Sequence, residues 1–477
     1  MNVFVIAAAL AATPAPTPAT PAPTPATSPA PPIDSSPVTP PPPVSSGAPI
    51  SLAQVRSEGR QNVQAIQALL DVAVANENVN LSRASLLPQI SLDSSAGKIW
   101  FGRRQEFITV PDPANPGQFI RNAVETPSTS TQNYDLGMSL TQVIYDRARW
   151  KQLEQSGVVR DAQKDQAREE ADTSELEAIR RFFTLYRTQA TLGVLKATVE
   201  RSEQQVERAQ ALFQAGRMGR NEEITAQVNL GTDRINYTST LGQLVADQTQ
   251  LAVWLARPGT EALSAEDPGV LTTEPPPAPS INEALASARV NRPLLKALQL
   301  RIRAAELQQS IARSEYLPRL VAQGLYNRGG PDATLVFTEP RLQNRFSAAV
   351  GLNWDLFTGL STPASTRRAE ADTRKAQLNL EQAAREIEGE VRAAHRRLEA
   401  QLEAARLAAQ NAEAAALGLT VQEQRFRAGV GSTLDVRDAQ LSLTRAELAL
   451  LENRIDVEIA RYTLLRAMGA LSPGESK

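Results

Sequence analysis

The sequence predicts a mainly α protein with a membrane β-barrel, built from long antiparallel helices plus four strands per chain. Three observations predict it. Two stretches of about 63–68 residues read as uninterrupted helix, roughly 100 Å each at 1.5 Å per residue. Four segments alternate apolar and polar residues with period two. The helix–hairpin–helix unit that contains them occurs twice.

Composition agrees with long helices and excludes several function classes. Of 477 residues, 42% are apolar but only 5% aromatic, and Ala, Leu, Gln, Glu and Arg dominate long stretches. The net charge of −2 supplies no basic field for nucleic acid. Without cysteine there are no disulfides, thiolate metal sites, cysteine nucleophiles or lipid-bearing N-terminal Cys. A single histidine, His395, leaves no histidine metal cluster or catalytic triad, and on a charged helix it reads as solvated or interhelical. There is no glycine-rich phosphate loop and no nucleophile elbow. No catalytic residue, metal or cofactor is therefore expected, and the chain does not read as an enzyme. No apolar run reaches the roughly 18 residues of a transmembrane helix.

The first 12 residues, Met1 to Ala12, form a short apolar run with a small-x-small site at Ala9-Leu10-Ala11, like the core of a secretory signal. Residues 13–50 are mostly Pro, Ala, Thr and Ser, which cannot bury enough apolar surface to offset ordering. They read as a disordered, partly polyproline linker.

The first unit, 51–257, opens with a helix from Leu52 to Leu87, ended by Pro88. Ile90, Leu92 and Ala96 then alternate with Gln89, Ser91, Asp93 and Ser95. A loop with the run VPDPANPGQF separates this strand from Tyr134, Leu136, Met138 and Leu140, which alternate with Asp135, Gly137, Ser139 and Thr141. A helix follows from Arg147 to Gln214, then a turn with Gly216 and Gly219, then a helix from Glu222 to Ala256. Residues 258–280, with prolines at Pro258 and Pro275 to Pro277, read as a linker at mid-height.

The second unit, 281–470, repeats the order. A helix from Ile281 to Tyr316 closes at Leu317-Pro318, and a strand carries Leu320, Ala322 and Tyr326. The returning strand alternates clearly from Phe346 through Val350 and Trp354 to Leu356. A helix of about 63 residues reaches Arg427; Gly429 and Gly431 turn the chain into a helix of about 36 residues from Leu434 to Gly469. Residues 471–477 are a tail. Tyr145 and Phe357 are 212 positions apart, but Leu87-Pro88 and Leu317-Pro318 are 230 apart. The first unit's hairpin tip must therefore be the longer one.

Helix lengths suggest that each short helix rising from the turns stacks end to end with a short helix of the other half. Each long helix then has a neighbour of equal length. The strands have one uncharged apolar face and one small polar face, the pattern of a barrel in lipid around water. Four strands leave two open edges, which hydrocarbon does not tolerate, so the barrel must close between copies. Two, three or four copies give about 8, 12 or 16 strands on this reasoning. A periplasmic coiled-coil protein with two soluble hairpins is the competing reading, and it leaves Phe346, Val350, Leu352 and Trp354 exposed on marginal hairpins. Trp100, Phe101, Tyr134 and Tyr326 suit a membrane interface.

From Leu52 to Gly469 the chain resembles the TolC family of outer-membrane factors. The resemblance rests on the duplicated unit, the Leu-Pro strand entries and the turn Phe426-Arg-Ala-Gly-Val-Gly-Ser-Thr-Leu-Asp-Val-Arg-Asp438. It implies a homotrimer with a 12-stranded barrel in outer-membrane lipid on a long periplasmic helical tunnel, with 258–280 in an equatorial domain. It also implies an efflux exit duct whose tip docks a periplasmic adaptor (membrane-fusion) protein and, through it, an inner-membrane pump. The exit duct of a type I protein secretion system uses the same architecture. No nucleic acid is expected as a partner.

The resemblance further implies that Asp435 and Asp438 form carboxylate rings at the pore constriction, where they favour cations. Three residues apart, they share a helix face and also read as ordinary first-turn acids. Glu222 stands where Asp435 stands in the other half, at a position where the family often holds neighbouring helices closed. Phe426 lacks a hydroxyl common there and Gly431 replaces a basic residue. Arg217, Arg220, Arg425 and Arg427 are the candidate substitutes at this gate. Gly216, Gly219, Gly429 and Gly431 make turns small enough for adaptor hairpins to dock.

Overall fold

The computed structural model describes residues 47–217, 219–270, 276–338 and 344–471. The signal-like segment 1–12, the linker up to residue 46, residues 271–275 and the tail beyond Leu471 lie outside the described residues.

The end of the expected linker is a strand, β1 (Ala48–Ile50), because Ile50 is buried in the main apolar core. Two helices follow where one was expected, α1 (Leu52–Gly59) and α2 (Val63–Ala84). Asn62 starts the second helix afresh: its side chain accepts from the Gln64 N–H at 2.8 Å.

The first hairpin contains more strand than the alternation indicated. β2 (Gln89–Phe101), β3 (Arg104–Pro111), β4 (Phe119–Thr126) and β5 (Thr129–Tyr145) follow in order. The tip expected as a loop is thus a two-stranded ribbon with a short turn. In that turn the Asp112 carboxylate accepts from the Ala114 N–H at 2.9 Å and Gly117 adopts φ 99°. Phe101 faces Thr129 and Arg104 faces Thr126, so the ribbon keeps the register of β2 and β5 across a short interruption. Pro127 has no N–H to continue the ladder there.

Next come α3 (Arg147–Gln214, 68 residues) and α4 (Arg220–Trp254, 35 residues). β6 (Leu263–Ala265) pairs in parallel with β1. The helix expected from Ile281 to Tyr316 is two, α5 (Ile281–Asn291) and α6 (Pro293–Ser314). Pro293 forces Arg292 into extended backbone (φ −63°, ψ 116°) and suits the first turn of the new helix. β7 (Arg319–Gly330), a short α7 (Ala333–Phe337) and β8 (Asn344–Asn353) form the second hairpin. Trp354 and Leu356 fall beyond β8, outside the strand that the alternation assigned them to. α8 (Ser361–Arg427, 67 residues) and α9 (Thr433–Ala467, 35 residues) complete the fold.

β2, β5, β7 and β8 form one antiparallel sheet in that order. The register lines up Leu92, Met138, Tyr326 and Phe346 on one face. The other face brings together Ser91, Ser139, Leu325 and Ser347, with Asp93 over Gly137 beside them. The apolar face is open, with Leu92 73% and Phe346 74% exposed. β2 and β8 are its two edges.

The helix stacking corrects the expectation that short helices join across the halves. The Asn62 side chain donates to the last carbonyl of α4, Trp254, at 2.6 Å. Arg292 donates to the Arg466 carbonyl at 2.9 Å, and Ser287 to that of Met468 at 3.2 Å. So α4 abuts α2 and α9 abuts α6, each within its own half. The unpaired carbonyls of one helix end meet the donors at the start of the next, and the two dipoles align.

The apolar core is concentrated at these joints. Phe182 and Phe183 of α3 are fully buried and meet edge to face, 5.5 Å between centroids. Leu251, Ile455, Tyr462, Val55 and Leu263 pack in the same cluster. A second cluster joins α5, α8 and α9 around Val391 and Leu464. Among the described residues near the turns, the apolar cluster is small: Leu419, Val436 and Leu443. That end is held less by apolar burial, so its polar contacts decide its geometry.

Candidate functional site

The two turns are built alike. After α3, Gly216 (φ 66°) donates to the Phe213 carbonyl and Arg217 to that of Leu212, both at 2.9 Å. After α8, Gly429 (φ 77°) donates to Phe426 and Val430 to Arg425, both at 3.0 Å. This pattern closes a helix through a left-handed residue, which glycine adopts without strain. Gly219 is the N-cap of α4. At Gly431 a Cβ would stand 3.0 Å from the Phe426 nitrogen, so the bare backbone permits the close return.

Asp435 and Asp438 lie on the exposed side of α9, opposite Val436 and Leu443. Asp435 is engaged locally: its carboxylate accepts from the Ser432 N–H at 3.1 Å, and its own N–H donates to the Ser432 hydroxyl at 3.2 Å. That is a capping box. Among the described residues, the Asp438 carboxylate has no ion pair or hydrogen bond and stands free for solvent and ions. Glu222 is exposed in the first turn of α4 and lines a crevice of about 280 Å³ with Asn221, Gln205, Arg437 and Gln440.

None of Arg217, Arg220, Arg425 and Arg427 pairs with Glu222 among the described residues. Arg427 pairs with Glu423 of its own helix at 3.7 Å. Arg437 joins three helices here. Its guanidinium grips Asp233 of α4 with two bonds, 3.0 and 3.1 Å, and donates to the Ser202 hydroxyl of α3 at 3.2 Å. Ser202 also donates to Asp233. The Arg437 side chain is 15% exposed and that of Asp233 is 6%. The signal for this pair lay in helix phase: Asp233 falls one heptad after buried Ala226, and Arg437 one heptad before buried Thr444.

From this pair a polar seam runs up between α9 and α3. Thr444 meets Thr198 at 3.2 Å, Glu447 meets Arg201 at 3.5 Å, Asp456 meets Arg187, and Thr463 meets Arg180 at 3.3 Å. It ends in a charged knot at the α9–α6 joint. There Arg466 and Arg292 share Glu169, at 2.9 and 3.0 Å, and both reach Glu390. One turn along α3, burial raises the Asp172 carboxyl to a pKa of about 6, with Glu175 and Glu169 adding to the rise and Arg60 and Arg466 opposing it. Arg60 sits 3.2 Å from Asp172 and 2.8 Å from Glu175.

His395 is buried, not solvated: its Nε2 lies 2.8 Å from the Pro279 carbonyl and fixes the end of the linker to α8. Among the described residues no group of three or more His, Asp or Glu is arranged to hold a metal. No described helix is long and apolar enough to cross a membrane.

A family model described as "Outer membrane efflux protein" matches residues 55–257 and 284–470. The chain belongs to that family. Its relatives include the outer membrane protein TolC of Vibrio cholerae, 24% identical over 436 residues, covering 88% of this chain and 91% of that protein. The outer membrane efflux protein BepC of Brucella suis is 23% identical over 408 residues, covering 84% and 81%. Two solved structures share the fold. One is the open state of the Neisseria gonorrhoeae MtrE outer membrane channel, at TM-score 0.70 and 17% identity, covering 89% of this chain and 91% of that one. The other is CusC, at TM-score 0.71 and 16% identity, covering 87% and 91%. The chain is an outer-membrane efflux channel of the TolC type, not an enzyme, with the long helices as its periplasmic part.

Proposed function

We propose that three copies of this chain form the exit duct of a tripartite efflux system. The observation that carries this reading is the four-stranded sheet with an open apolar face and two unpaired edges. In lipid, β2 of one copy must pair with β8 of the next, and three copies make a 12-stranded barrel. The helices support the same closure. Exposed Ile224, Val228 and Ile235 on α4 and Ile66, Leu70 and Val74 on α2 form apolar stripes at helical spacing. The α4–α2 joint makes them one column along which a second copy can pack.

At the periplasmic end, Asp438, with Asp435 beside it, forms the cation-favouring constriction. Arg437, Asp233 and Ser202 hold α9 against α3 and α4 in the closed state. Near the turns the α3–α9 seam is largely polar, so that end can part with little apolar exposure. The turns at Gly216, Gly219, Gly429 and Gly431 dock the periplasmic adaptor, which links the duct to an inner-membrane pump. Substrate passage is passive, and the pump selects.

Sedimentation of the detergent-purified chain tests the assembly. The mass of three copies is expected; a monomer that stays soluble without detergent would sink the channel reading.

A further inference from the structure

The ribbon β3–β4 is a part of the fold that neither the barrel sheet nor the long helices use. It continues β2 and β5 upward by eight residues on each strand, about 27 Å at 3.4 Å per residue. β7 and β8 do not extend with it, and the second hairpin instead folds α7, with buried Val336, against β5 and β7. An isolated two-stranded ribbon is marginal in water. This one exposes large apolar residues on both faces: Phe107 and Phe119 on one, Ile108, Ile120 and Val124 on the other.

Both faces mix charge with apolar residues, and one of them carries Arg121 just below its tip pair. One face carries Arg104 and Glu106, then Ile108, Val110 and Ile120. The other carries Glu125, then Phe107, Arg121, Pro111 and Phe119. Lipid does not suit a ribbon with charges on both faces. A single partner surface would cover only one of them. An aliphatic face and an aromatic face on opposite sides of one element fit a head-to-tail ring, in which each copy offers a different face to each neighbour. The ribbon also rises from β2, the edge that a second copy must pair.

We propose that the β3–β4 ribbons of neighbouring copies pack face to back around the symmetry axis and form a cap at the extracellular mouth of the barrel. This rests on the trimeric channel reading. The strands break at Gly102 and Pro127, and a Cβ on Gly102 would meet nothing, so open space there leaves the ribbon room to lean on its neighbour.

The chain has no cysteine, so introduced thiols report contacts without background. The test is the double variant Val110→Cys with Phe119→Cys, which puts one thiol on each face at adjacent heights. Oxidation of the assembled protein is expected to give covalent trimers on a non-reducing gel, whereas each single variant gives none. A double variant that sediments as a trimer but stays uncrosslinked, with both thiols reacting with an impermeant maleimide, would overturn the cap alone. A chain that sediments as a monomer overturns the cap together with the channel reading.

Discussion

Arg437 and Asp233, 204 positions apart, form a buried two-pronged ion pair that ties the last helix to the first half of the chain near the periplasmic turns. It lies at the end of the molecule where the apolar core is thinnest. Removing one partner leaves the other charge buried and unpaired, which typically costs about 3–5 kcal/mol. Arg437→Ala should therefore speed amide exchange in the first turns of α9. Replacing both partners by leucine should restore much of the protection. Equal loss in the single and double variants would show that the pair does not act as a unit.

Asp438 and Asp435 should separate under substitution. Asp435→Ala removes a capping box and is expected to lower stability by about 1 kcal/mol, read as a shift in the denaturation midpoint. Asp438→Ala leaves that midpoint unchanged, because its carboxylate holds nothing. It should instead reduce cation selectivity in a planar bilayer. Unchanged selectivity would remove Asp438 from the constriction.

Asp172 makes stability depend on pH in an uncommon direction for an acid. Its pKa of about 6 in the folded chain lies above the ordinary 3.8. The folded state therefore binds more protons than the unfolded state between these values, and this group's contribution falls as pH rises through that window. The effect is worth at most about 3 kcal/mol at pH 7, reduced by the loss of pairing with Arg60 on substitution. Asp172→Asn should flatten the pH dependence of the melting temperature between about pH 4 and 6. A variant with the wild-type slope would assign the dependence to another group.

Asn62 contributes two bonds to the α4–α2 joint. Asn62→Ala removes both the cap of α2 and the bond to the Trp254 carbonyl. A loss of about 1–2 kcal/mol is expected in denaturant unfolding, with faster amide exchange at the end of α4. Loss confined to α2 would mean that the helices do not depend on each other.

Long-range order was readable because helix length and strand alternation are periodic signals. The bounds of α3 follow from the absence of proline between Arg147 and Gln214, and the sheet from the alternation around Met138 and Val350. Local breaks were harder to read. Asn62 and Pro293 interrupt helices whose apolar spacing continues past them, and the β3–β4 ribbon follows no clean alternation because both of its faces mix charge with apolar residues. Which helices stack is a tertiary choice, made by Asn62 and Arg292 reaching foreign carbonyls. Near the turns, Asp435, Asp438 and Glu222 were visible as acids close to helix starts, although only Asp435 and Glu222 fall in a first turn. Arg437 was not visible, because its partner Asp233 is distant in sequence and only helix phase relates them.

Single-channel recording in planar bilayers, comparing the wild-type chain with Arg437→Ala, tests the central claim most directly. The wild type is expected to form a narrow, cation-selective pore, and Arg437→Ala a pore of several-fold higher conductance as α9 swings from α4. No pore from the trimeric wild-type protein, or equal conductance in the two, would contradict a channel held closed by this pair.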